Sequence, residues 1–330
     1  MEYSAGRGTA AAEIKRKKTY TYILIAILCN ILWGSAIPFI NVGYRLFEIG
    51  PGKTASQMLF AGIRFFMAGC ITAMIRSVSL KRPAVPRKAN WDKVLKLALV
   101  QTVIQYVLFY IGVANTMSVK ASIIQGLVAF ISILIASYVF RYEKMNADKW
   151  LGGFLGVLGV IVVSWREGGI SGSVSMLGEG ALILSMISNA VSAGMIKKYG
   201  QTEDPVILNG WQFMAGGLVM AVIGLIAGGE LSPQGGTAYL VLLYLACLSA
   251  AAYSLWSMLL KIYPISKIAV FMFLQPLFGV ILGLLLVNQS MDIPVWQYMT
   301  ALGLVCACII IINYVPERGI GEESDPVARR

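Results

Sequence analysis

Arg64 is the residue in this sequence whose position calls for a chemical reason. It lies inside the apolar stretch 56–75, with no other charge among the apolar cores of the chain. A guanidinium at membrane mid-depth costs at least about 2.5–3.5 kcal/mol on insertion scales, so something must compensate it. One compensation is a cavity in which the cation holds an anionic or zwitterionic, carboxylate-bearing solute through charge-assisted hydrogen bonds. The other is structural, with the guanidinium holding neighbouring helices through their carbonyls and side-chain amides. Polar and aromatic side chains interrupt other apolar stretches at Asn30, Trp33, Gln101, Gln105, Tyr106, Tyr110, Gln125, Asn189, Gln212, Tyr253, Trp256 and Gln275. Gln101 and Gln105 are four apart and share one helix face. With Gln212 and its neighbour Trp211 they suit a pocket of a few fixed hydrogen-bonding groups between aromatic walls. The competing role for these residues is helix-to-helix glue, worth about 0.6 kcal/mol per bond, and it accounts for roughly half of them. Pro276, directly after Gln275, removes a backbone donor in mid-stretch and predicts either a break in that helix or a plain kink. Pro38 predicts a plain kink.

Other chemistries lack their residues. The sequence has no histidine, and its 16 carboxylates fall in tails, loops or the ends of apolar stretches, with Glu179 nearest to an interior. An intramembrane proton relay ordinarily uses such groups, so exchange, facilitated movement or coupling through another group stands at least level with proton coupling. The five cysteines, Cys29, Cys70, Cys247, Cys306 and Cys308, sit in apolar runs, where a thiol behaves as a small hydrophobe. Cys306 and Cys308 point about 200° apart on a helix, a poor metal pair. No metal, cofactor or intramembrane nucleophile is expected, and an enzyme is not the reading the residues support.

The elements that must position these side chains follow from composition. The 330 residues are 58% hydrophobic and 13% charged, against about 25% charged in soluble domains, so the solvent is lipid. Runs such as 157–163 are apolar on every side, which excludes the alternation of barrel strands and leaves helices. Apolar cores separated by charges predict ten spans, near 22–39, 56–75, 97–115, 121–140, 150–165, 180–196, 206–227, 238–260, 268–287 and 295–315. The first follows the basic run Lys15, Arg16, Lys17, Lys18 and resembles a secretory signal, but its removal would leave nine spans, so it is read as an uncleaved helix. With the N-terminus inside, 22 lysines and arginines fall in cytoplasmic segments and 4 outside. That bias places both termini in the cytoplasm and accounts for the net charge of +11 without nucleic acid.

The chain also repeats itself. The segment 61–69 matches 209–217, pairing Gly62 with Gly210, Phe65 with Phe213 and Gly69 with Gly217, and 143–150 matches 289–296 at nearly the same offset. This divides the chain into a basic N-tail (1–19), a five-helix repeat (20–166), a Gly/Ser-rich linker (167–175), a second five-helix repeat (176–315) and a C-tail (316–330). An odd number of spans per half inverts the second repeat, a design that puts a central site at the interface of the halves. The ten spans, the inverted halves, Trp33-Gly34-Ser35 of the first span, the Gly-x-Arg-Phe of the second and Glu143 after the fourth resemble the EamA-type transporters of the drug/metabolite transporter superfamily. The second half departs from that pattern at Gln212 and Gln289. The resemblance implies efflux of a small metabolite, amino acid or drug across a prokaryotic plasma membrane. The alternative is a non-transporting receptor or scaffold. The pairs Gly152/Gly156 and Gly279/Gly283 are expected to serve contacts within a monomeric bundle rather than dimerisation.

Overall fold

The computed structural model describes the backbone of residues 2–116, 118–165, 175–287 and 294–314. Over those residues it is helical without a strand, and ten helices are long and apolar enough to cross a membrane. They are α1 (Tyr20–Leu46), α2 (Thr54–Leu80), α3 (Lys88–Ala114), α4 (Lys120–Val139), α5 (Ala147–Ser164), α6 (Met176–Tyr199), α7 (Pro205–Ile226), α8 (Gly236–Ile262), α9 (Ile265–Leu286) and α10 (Val295–Asn313). The linker apart from Ser175, the loop 288–293 with Gln289, and the C-tail lie outside the described residues. The helix containing α1 extends back to Glu2 and runs through Pro38 without ending there. α3 starts well before its apolar core because 91–97 forms an amphipathic turn, with Val94 and Leu97 buried and Asp92 paired to Lys96 at 3.1 Å on the exposed side.

The two halves meet along α2 and α7, the most extensive helix pair of the bundle. Gly62 lies against the backbone of Gly217 and Ala221, and Gly69 against Gly210 and Met214, so a Cβ at either glycine would collide with backbone. Exchanging the repeats turns the Gly62–Gly217 contact into Gly210–Gly69, which is the other contact. The pair is thus self-complementary about a pseudo-two-fold axis. Phe65 and Phe213, which exchange with each other, stack on that axis with centroids 5.1 Å apart and planes 21° apart. The remaining helices pair by the same rule. α1 packs on α8 and α9, α6 packs on α3 and α4, and α5 packs on α10.

Polar ties join the halves at both ends of the bundle. At one end Arg76 of α2 pairs with Asp204, the N-cap of α7, through a Nε–Oδ2 bond of 2.8 Å. There Glu143 accepts from Ser266 N–H at the start of α9 (3.1 Å) and from its hydroxyl, and Lys149 Nζ donates to Glu143 at 3.1 Å. At the other end Lys120 of α4 pairs with Glu179 of α6 at 2.9 Å, and Thr116 also donates to Glu179. Glu203, between α6 and α7, accepts from the Arg87 N–H at 2.9 Å and the Asn90 amide at 2.8 Å.

Burial by itself would raise the Glu203 carboxyl, but the Arg87, Asn90 and Asp204 donors outweigh it and hold the group below its ordinary value of 4.5. A carboxyl depressed by folding contributes stability above its unfolded pKa and loses that contribution as pH falls through the folded pKa. Thermal stability in detergent should therefore fall as pH drops below 4.5, and Glu203→Gln should flatten that decline. The seam makes a second prediction. Gly62→Leu overpacks the α2–α7 contact at a cost of about 1–3 kcal/mol or more, lowering the melting temperature by several degrees and reducing the monodisperse yield on size-exclusion chromatography. Gly303→Ala, at an exposed position of α10 with open space around it, should leave the yield unchanged and hold or slightly raise the melting temperature.

Candidate functional site

A cavity of about 180 Å³ lies between the halves. The first half lines it with Trp33, Ile37 and Ile40 of α1, Arg64 of α2, Gln101, Gln105, Tyr106, Phe109 and Tyr110 of α3, and Gln125 and Val128 of α4. The second half contributes Met186, Asn189 and Ala193 of α6, Leu248, Ser249, Tyr253 and Trp256 of α8, and Met272 and Gln275 of α9. An engineered apolar cavity of about 150 Å³ holds benzene, so this space suits a solute of amino-acid size.

The pseudo-two-fold axis runs into the cavity wall. Tyr106 leans on Phe65 with centroids 4.5 Å apart, and Tyr253 meets Phe213 edge-on at 4.9 Å. The two tyrosines are 147 residues apart, the repeat offset, and their hydroxyls are hydrogen-bonded to each other at 2.8 Å. The same offset relates Gln125 to Met272, Val128 to Gln275, and Phe109 to Trp256, so the cavity is built twice from equivalent backbone positions. Its chemistry is not symmetric. Gln101 and Gln105 on α3 correspond to Leu248 and Ala252 on α8, and Arg64 corresponds to Gln212. One wall is therefore cationic and amide-bearing, and the facing wall carries Trp33 packed edge-on against Tyr253 (5.2 Å) and Trp256 (5.1 Å).

The polar wall is unsatisfied. Arg64 is 5% exposed, its guanidinium sits 4.4 Å from the Phe65 ring centroid, and among the described residues no acid pairs with it. Arg64 Nε, Trp33 Nε1, Gln101 Oε1 and Gln105 Oε1 are buried without hydrogen-bond partners. Buried polar groups are nearly always partnered, and these four orphaned atoms belong to residues that line the same cavity. Donors (Arg64, Trp33) and acceptors (Gln101, Gln105) are both represented.

Local backbone irregularity supplies the aim. Residues 98–104 of α3 adopt the wider π turn, and Gln101 and Thr102 lie in it. In α9, residues 270–274 narrow to a 3₁₀ turn before the regular helix resumes at Gln275, with Pro276 one residue on. The break expected at Pro276 thus falls just before it. The Met272 carbonyl that the proline would have orphaned is taken by the Gln275 N–H, so no free backbone acceptor is left there.

Of the residues singled out from sequence, Trp33, Arg64, Gln101, Gln105, Tyr110, Gln125, Asn189, Tyr253, Trp256 and Gln275 line the cavity, and Asn30 and Gln212 do not. Asn30 donates to Ala26 O within its own helix at 2.7 Å. Gln212 accepts from Thr102 Oγ1 at 2.7 Å and donates to Asn209 Oδ1 at 3.2 Å, a buried strut between α3 and α7. Its neighbour Trp211 points away as well, donating to Ala84 O at 2.7 Å. Sequence reasoning passed over Phe109, Ser249, Met186 and Met272. Adding the repeat offset of 147 to Gln125 leads to Met272, and subtracting it from Trp256 leads to Phe109.

Comparison with known proteins agrees with this architecture. The EamA-like transporter family matches residues 20–165 and 176–314, one copy for each half. The chain belongs to the EamA-like transporter family. An uncharacterized transporter of Synechocystis sp. is 24% identical, over 84% of this chain and 87% of that protein. The uncharacterized transporter YvbV of Bacillus subtilis is 24% identical, over 90% and 92%. A chloroplastic WAT1-related protein of Arabidopsis thaliana is 25% identical over 70% of this chain and 57% of its own length. A solved crystal structure shares the fold, with a TM-score of 0.70 at 14% identity, covering 88% of this chain and 96% of that one. This EamA-family chain is a multi-pass membrane transporter by family.

The contrast between Gln101 and Gln212 is testable. Gln101→Leu removes an unsatisfied buried amide and should hold or raise the melting temperature while weakening solute binding at least about fivefold. Gln212→Leu breaks a made bond and should lower the melting temperature, by an amount set by about 0.6 kcal/mol, with solute affinity within about twofold of the parent. Thermal-shift and binding measurements on the same two preparations decide it.

Proposed function

We propose that this chain carries small organic solutes bearing a carboxylate, amino acids and related metabolites among them, outward across the plasma membrane. The observation that carries the reading is Arg64, a buried guanidinium without an acidic partner among the described residues, facing the central cavity. A solute carboxylate supplies the missing charge and bidentate acceptor. Gln101 and Gln105 accept from an ammonium or hydroxyl of the same solute, and the Trp33, Tyr253 and Trp256 rings cover its apolar body. Two halves of inverted topology meeting at such a site suit alternating access. In that cycle the Glu143–Ser266 tie opens at one end and the Lys120–Glu179 tie at the other, never both together. The family resemblance is what supports export and a plasma-membrane location. The 22 to 4 bias of basic residues supports both termini lying in the cytoplasm. A monomer is the proposed working unit.

The test is uptake by proteoliposomes containing the purified protein, screened with pools of amino acids, organic acids, nucleobases, sugars and organic cations. Saturable uptake confined to the carboxylate-bearing pools is the expected result. Uptake confined to cations or sugars would overturn the solute class. Binding without uptake in any pool would favour a receptor.

A further inference from the structure

We infer that this carrier reorients only when an anion covers Arg64, so that it works as an exchanger of one carboxylate-bearing solute for another, with no proton as partner. The inference rests on the carrier reading given above.

The titratable groups around the guanidinium are phenols. Tyr44 of α1 and Tyr106 and Tyr253 of α3 and α8 lie within its electrostatic reach, and Tyr110 of α3 shares the cavity. Phenols are uncharged across the physiological range. From α4, α6 and α9 the cavity receives only amide and apolar side chains. The carboxylates nearest the ends of the bundle are committed elsewhere, Glu143 to Lys149 and Ser266, and Glu179 to Lys120 and Thr116. No histidine exists in the chain. An arginine keeps its proton under all these conditions, so among the described residues nothing at the site can switch its charge off.

The energetic consequence falls on the empty carrier. While the cavity is open to either side, water solvates Arg64. To reverse access, the cavity must close at both ends, and an empty closed cavity would enclose an unpaired cation in a low-dielectric interior. A bound carboxylate turns the same enclosure into a neutral pair. The loaded form therefore passes the barrier faster than the empty form. Each inward or outward passage must then be returned by another loaded one, which is exchange. The second half removes any reserve of compensation, because Gln212, the repeat mate of Arg64, is neutral and already bound to Thr102.

The measurement is uptake of a radiolabelled mixture of neutral L-amino acids and small monocarboxylates into proteoliposomes in chloride-free HEPES medium. Vesicles preloaded with the unlabelled mixture are compared with empty ones. The expected result is at least about tenfold faster uptake into preloaded vesicles, unchanged across neutral pH and not driven by a pH gradient. In Arg64→Gln, which copies the residue at the repeat-related position, the two rates should converge to within about twofold, and in Arg64→Lys, whose ammonium sheds its proton when enclosed unpaired, the gap should shrink as pH rises. Equal rates for loaded and empty vesicles with the parent protein would overturn exchange and leave the carrier reading standing. So would net uptake into empty vesicles driven by a proton gradient, or an undiminished gap in Arg64→Gln. Absence of uptake in loaded and empty vesicles alike would overturn the solute class and this inference together.

Discussion

The close approach of α2 to α7 is the constraint on which the rest of the molecule depends. In lipid there is no hydrophobic drive to bring two apolar helices together, so contact area and small residues must supply the attraction. Gly62, Gly69, Gly210 and Gly217 let the two backbones touch. Because these four glycines are repeat mates in pairs, the seam can be built only with the halves inverted about the Phe65–Phe213 stack. That single choice sets α3 and α8 beside the axis and brings Tyr106 and Tyr253 within hydrogen-bonding distance. The cavity lies where it does because those two helices flank the axis.

On this symmetric frame the second half of the site has been made chemically different from the first. The equivalent positions 64 and 212 hold a cation in one half and an amide in the other, and only the cation reaches the cavity. The amide is engaged in a strut to Thr102 that joins α3 to α7. Orphaned groups at Trp33, Arg64, Gln101 and Gln105 are a local conflict with stable packing. Conflicts of that kind concentrate at functional sites, where a ligand completes what the fold leaves open.

The ends of the bundle show the complementary arrangement, in which polar groups are fully engaged. Arg76 with Asp204, Glu143 with Ser266 and Lys149, and Lys120 with Glu179 each join the first half to the second or brace such a join. The Lys120–Glu179 and Lys149–Glu143 pairs are nearly buried, so they open only with local access of water to an end of the bundle, a smaller change than exposing the α2–α7 seam. The fold thus places its firm contact at mid-depth and its exchangeable contacts at the two mouths.

The amino-acid sequence by itself determined the class of the fold. Ten spans, their helical nature and the two-fold repeat were legible because hydrophobic length and the glycine and phenylalanine spacing of 61–69 and 209–217 are properties of the chain alone. It also pointed to Arg64, since a lone charge in an apolar stretch is costly wherever its helix packs. What it could not provide was the facing of each polar side chain. Gln212 and Gln101 look alike in their apolar surroundings, yet one is a strut and the other lines the cavity. Asn30 and Trp33 are three apart on one helix, yet Asn30 is turned to its own backbone and Trp33 to the solute space. In a helix surrounded on all sides by apolar residues, lipid and neighbouring helix present the same hydrophobicity, so periodicity carries little facing information. Only the packing of α1, α3, α8 and α9 around the axis decided which polar groups meet, and which remain without a partner.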